Sequence, residues 1–169
     1  MRSSLQQLLF LFLLLPFSLQ AQYYNTGQDP ASLKWKLIRT ERFDVIYPET
    51  YGKGGAEFAQ SLENSWSGMT QLYPDRKMRI PVVIHNHTTK SNGYVAWAPS
   101  RMEIFPTPEQ NSIPLDPNTQ LAIHELTHVM QLKSLNTGLT RAMSLLTGEQ
   151  FNGAVSSLLP LWFLEGDAV

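Results

Sequence analysis

Two histidines four residues apart, with a glutamate directly after the first, stand in the stretch TQLAIHELTHVMQL at 119–132. Residues i and i+4 share one face of an α-helix, with Cβ atoms roughly 5–6 Å apart. The imidazoles of His124 and His128 can therefore converge on one ion at about 2.0–2.1 Å. Glu125 lies about 100° further around the axis. A carboxylate placed there reaches a metal-activated water as a general base without ligating the ion, which is the physical content of H-E-x-x-H. At the His and Glu frequencies of this chain, chance produces such a pattern in roughly one chain in two hundred. The plain alternative is an amphipathic helix whose histidines are surface or satisfied core residues.

A catalytic zinc has three protein ligands and one open position. The chain contains no cysteine, so thiolate ligands and disulfides are excluded, and a metal must be held by His, Asp or Glu. Downstream of His128 the candidates are Glu149, Glu165 and Asp167. Glu165 is preferred, because LWFLEG can form a second helix against the first, with Trp162 and Phe163 burying it and fixing the carboxylate. Glu149, in LTGEQ, reads as a turn residue facing solvent. Asp167 is a candidate outer residue that orients a ligand histidine. His85 and His87 alternate onto one strand face and raise a second metal pair. Without a nearby acid they are incomplete as a ligand set, and they read better as capping a strand and its loop.

The elements that must position these groups follow from periodicity and punctuation. KWKLIRTERFDVIYP predicts a hairpin ending at Pro48, with its turn near Thr40 and Glu41. Phe58, Leu62, Trp66, Met69 and Leu72 recur at spacings of three and four and predict an amphipathic helix. A buried strand is expected over 80–85, then two short strands around a turn at Pro99 and Ser100. Tyr94 and Trp97, on the candidate substrate-binding edge, are candidates for shaping a pocket, with core packing as the alternative for each. Asp116 is a candidate N-cap and Pro117 suits the first helical position, opening a helix whose apolar surface is Leu121, Ile123, Leu126, Val129, Met130 and Leu132. Residues 135–159 admit two short helices or one long ordered loop. Pro160 opens a further helix that carries Glu165.

With 169 residues, 43% hydrophobic and 16% charged, the chain suits one globular domain. A net charge of -1 gives no basic footprint for nucleic acid. Residues 1–21 have the layout of a cleaved secretory signal peptide: Arg2 early, an apolar run from Leu8 to Leu15, then Pro16 and small or polar residues to Ala21. The run is too short to span a bilayer, which needs about 20 residues. Cleavage would leave 12 basic against 14 acidic residues, a formal charge of -2. The expectation is an exported protein, periplasmic, associated with the cell envelope or secreted, with no stable transmembrane span after cleavage. Residues 22–34 read as an irregular lead-in and 35–169 as one domain.

HELTHVMQ followed by PLWFLEGDAV resembles the gluzincin metallopeptidases of the broad Peptidase MA-like group. FDVIYP, the helix before Tyr73, IPVVIHNH and GYVAWAPSRMEIF extend the resemblance over about residues 35–169. It implies an α+β zincin-like fold, a small mixed N-terminal sheet with the active-site helix packed under it, and a C-terminal subdomain that is incomplete. It implies Zn2+ held by His124, His128 and Glu165, with Glu125 as general base in peptide-bond hydrolysis. The substrate would be a peptide or protein added to the sheet edge at NGYVAWAPSRMEIF. The combination is similar to exported bacterial proteins in which a TolB-like β-propeller follows the peptidase-like domain. Thirty-six residues separate His128 from Glu165, more than in thermolysin-like enzymes, and the Tyr or His that often follows the third ligand as a second oxyanion donor is not found after Glu165. Two rival functions remain: a non-catalytic zincin scaffold within a larger cell-envelope binding protein, and a membrane-associated protein using the apolar region 142–164.

Overall fold

The computed structural model describes residues 29–73, 78–107, 114–166 and 168. The signal-peptide expectation for 1–21 and the candidate Asp167 lie outside them. Alternating buried positions make strands first. β1 (Trp35–Arg39) and β2 (Phe43–Pro48) form an antiparallel hairpin, and Phe43, Val45 and Tyr47 of β2 point to one buried face. A short 3-10 turn at Glu49–Tyr51 leads into α1 (Gly52–Leu72). This 21-residue crossover allows β3 (Ile80–Ile84) to return parallel to β2.

β4 (Ser91–Trp97) and β5 (Ser100–Pro106) form the second antiparallel hairpin, and β5 lies parallel to β3. The mixed five-stranded sheet runs β1-β2-β3-β5-β4, so β4 is an edge strand. Four helices follow or complete the chain: α2 (Pro117–Leu135), α3 (Gly138–Thr147), α4 (Gln150–Ser156) and α5 (Leu161–Gly166). The molecule is therefore an α+β fold with a mixed sheet.

One face of the sheet makes the core. Phe43, Val45, Ile80, Val82, Ile84, Met102 and Ile104 meet Phe58, Leu62 and Trp66 of α1 and Ala122, Leu126, Val129 and Met130 of α2. The predicted stripe on α1 is buried at Phe58, Leu62, Trp66 and Met69, but Leu72 is 76% exposed. The helix ends at that residue, with Tyr73 turning to extended backbone. α2 starts as its sequence dictates: the Asp116 carboxylate accepts from the Thr119 N–H at 2.8 Å, with Pro117 at the first position. Its buried residues include Glu125, Thr127 and Gln131 beside the apolar ones, so α2 is enclosed around more of its circumference than the apolar stripe indicated.

Of the two alternatives for 135–159, the structure has the two short helices. α4 packs against both α2 and β4. No helix among the described residues is long and apolar enough to cross a membrane.

Candidate metal centre

His124 and His128 lie one helical turn apart on α2, and their Nε2 atoms approach to 3.1 Å. Glu165 of α5 brings Oε2 to 3.7 Å from His124 Nε2 and 3.8 Å from His128 Nε2. The three ligand atoms lie within 4.8 Å of one another. Two ligands held at about 2.0–2.1 Å by a tetrahedral ion stand roughly 3.3–3.4 Å apart, so the set has the dimensions of a small divalent-cation site.

The tautomers argue the same way. His124 Nδ1 faces the carbonyl oxygen of Ala168 at 3.1 Å, and a carbonyl can only accept. His128 Nδ1 faces Gln131 Oε1 at 3.1 Å. The orientation of that amide is fixed at its other end, where Gln131 Nε2 donates to the Leu164 carbonyl at 3.0 Å. Both rings therefore carry their proton on Nδ1 when neutral. Their Nε2 lone pairs and the Glu165 carboxylate then converge as three acceptors on one point. A cation there would resolve the arrangement, and outer hydrogen bonds of this kind hold the histidines in register at known metal sites.

Glu125 is 1% exposed, and its Oε2 has no hydrogen-bond partner among the described residues. Burial first, and the Glu165 carboxylate second, push its pKa up to about 8. A buried carboxylate beside the histidine pair is placed where it could transfer a proton to or from a group held there. The edge strand backs it. An added Cβ on Gly93 of β4 would stand 2.3 Å from Glu125 Oε1, so the carboxylate lies directly on the strand backbone.

The structure brings together His124, Glu125, His128 and Glu165 and leaves other expected residues elsewhere. Trp162 and Phe163 do not bury the helix of Glu165: they are 74% and 46% exposed, and α5 has no buried residue. The bonds from Gln131 to Leu164 and from His124 to Ala168 hold that segment through its backbone instead. Tyr94 does not line the site. Strand alternation sends it to the sheet face opposite Gly93, where it stacks on Phe105 with centroids 6.3 Å apart. Trp97 shares the face of Gly93, but its indole N–H donates to Gln150 Oε1 of α4 at 3.2 Å. Glu149 is exposed at the start of α4.

Among the described residues, the histidine pair at 85 and 87 belongs to no second metal-ligand cluster. His87 is exposed. His85 does have acids at hand, contrary to the expectation from sequence: Nδ1 pairs with Asp29 at 2.5 Å and Nε2 with Glu103, which also takes the Arg101 guanidinium. The two acids occupy opposite ring nitrogens, so they cannot share an ion with the ring. Sequence reasoning missed Gln131, the Ala168 carbonyl and Gly93. The spacing of Gln131, three residues after His128 on a helix, carries a signal; a backbone carbonyl carries none.

No family model matches the chain, and no solved structure matches it. A protein of Treponema pallidum (strain Nichols) described as uncharacterized is 33% identical over 103 residues. The match covers 57% of this chain and 10% of the relative, so the chain spans about a tenth of the length of the protein it matches.

Proposed function

We propose that this chain is the zincin-like catalytic domain of an exported zinc-dependent peptidase. The observation that carries the reading is the convergence of His124 Nε2, His128 Nε2 and Glu165 Oε2 beside the buried carboxylate of Glu125, whose Oε2 has no hydrogen-bond partner among the described residues. His124, His128 and Glu165 would hold the ion. When bound, zinc supplies a Lewis acid that polarises a carbonyl and acidifies water.

The protein's own part is positioning and proton transfer. Glu125 accepts the proton of the attacking water and passes it to the leaving amine. An extended peptide added at β4, the edge strand of the sheet, would lie on the strand that backs Glu125, with its scissile bond beside the base. Gln131 and the Ala168 carbonyl keep both imidazoles turned with Nε2 inward.

Elemental analysis of the full-length protein, with peptide-library cleavage, tests the reading. Wild type should hold one equivalent of zinc and His124→Ala none. Glu125→Gln should keep zinc and lose cleavage by about 10²–10⁴-fold, the usual weight of general acid–base catalysis. A wild type without stoichiometric zinc overturns the enzyme reading. Zinc retained with no peptide cut favours a binding scaffold within a larger cell-envelope protein.

A further inference from the structure

Gly93 sits in the middle of β4, opposite Ile104 of β5, whose side chain is fully buried in the core. A glycine weakens a strand interior and often marks a place where another group approaches closely. Backbone conformation does not demand it, because the positive-φ glycines among the described residues are Gly138 and Gly148. Space does. A Cβ at position 93 would stand 2.3 Å from Oε1, 2.6 Å from Cδ and 2.8 Å from Cγ of Glu125. Real contacts of this type are well over 3 Å, so three atoms of one side chain would have to move.

Glu125 has little freedom to comply. It is buried, and its neighbours Leu126 and Ala122 on α2 are locked in the core against the sheet. The helix cannot back away without opening that core, which is packed as densely as a crystal. The carboxylate must instead turn about its own side-chain bonds in packed surroundings, and the adjacent residue on the helix is the proposed ligand His124.

We propose that Gly93 is the positioning residue for Glu125: its missing side chain leaves the seat against the edge strand in which the carboxylate rests. The catalytic use of the seat rests on the peptidase reading above; the seat itself does not. The substrate strand and the base then share one stretch of backbone, so β4 sets the distance between them. A misplacement of about 1 Å is enough to cost 10²-fold in rate.

The test is a thermal-unfolding cycle on the full-length protein, joined to kinetics. Gly93→Ala should keep the zinc stoichiometry, lower kcat about 10²-fold and leave KM near its wild-type value. It should lower Tm in the wild type and in Glu125→Gln, which has the same shape, but leave Tm unchanged in Glu125→Ala, where nothing remains to be displaced. An equal Tm loss in all three backgrounds marks a general strand defect and overturns the seat. Full kcat in Gly93→Ala overturns the positioning role. A wild type with neither zinc nor cleavage overturns the peptidase reading alone, because the thermal cycle still reports on the seat.

Discussion

Gln131 is the residue on which the orientation of the site turns. Its amide is read from both ends, donating to the Leu164 carbonyl and accepting from His128. Replacing it with leucine keeps the volume and removes both bonds. The His128 ring then loses its tautomer lock, and α5 loses one of its ties to α2. Zinc affinity of Gln131→Leu should fall 10–100-fold, the usual weight of such outer-shell partners, measured by competition with a chromogenic chelator. An affinity within twofold of wild type would show that the bond is incidental. His124, Glu125 and His128 were legible in the sequence because their chemistry lies in their side-chain type and spacing. Gly93 was not, because its contribution is an absence that acquires meaning only when α2 is laid against β4.

Among the elements, α4 has the clearest fastening. The Trp97 indole lies against Gly153, where an added Cβ would stand 2.3 Å from Nε1 and 2.4 Å from Cε2. The indole N–H also donates to Gln150 on the same helix. A helix of seven residues is too short to hold itself in water, so this contact and its packing on α2 must fix it. Gly153→Val should lower unfolding stability by about 1–3 kcal/mol, as overpacking does, read from urea denaturation with an unchanged m-value. Unaltered stability would mean that α4 docks by other means. The sequence left 135–159 open between two short helices and one long ordered loop, and Trp97 open between a pocket and core packing, because nothing local says that a segment more than fifty positions later will cover it. The same limit explains α5: LWFLEG looked like a buried amphipathic stretch, yet its attachment runs through backbone carbonyls that no composition reveals.

For the whole molecule, the charged group on the far side of the sheet ties the lead-in to the fold. His85 stands between Asp29 and Glu103, with its ring stacked on Phe105 at 5.0 Å. Burial works against the charged ring, but hydrogen bonds and charge from Glu103 and Asp29 outweigh it and raise its pKa above 6.5. Burial likewise opposes the charge on Glu103, while His85 and Arg101 hold its pKa below 4.5. The histidine contribution is complete below about pH 6.5 and is lost as pH rises through its folded value. The glutamate contribution is present above about pH 4.5 and lost as pH falls through its own. Both act in full between those limits. In urea denaturation of metal-free protein, wild type should therefore lose more stability than His85→Gln between pH 6.5 and 9. Parallel pH profiles would refute the clasp.

The proposed ligands also sit at the two ends of an excursion. Thirty-six residues, with α3 and α4 among them, lie between His128 and Glu165. An ion held at both ends would act as a reversible cross-link that removes conformations from the unfolded chain. For a loop of this length the chain-entropy model of a disulfide gives roughly 4 kcal/mol. That gain changes only logarithmically with length, about 0.6 kcal/mol per doubling. The span between the second histidine and the third ligand is therefore nearly free to vary, because a knot of three side chains holds its ends however far the chain travels between them.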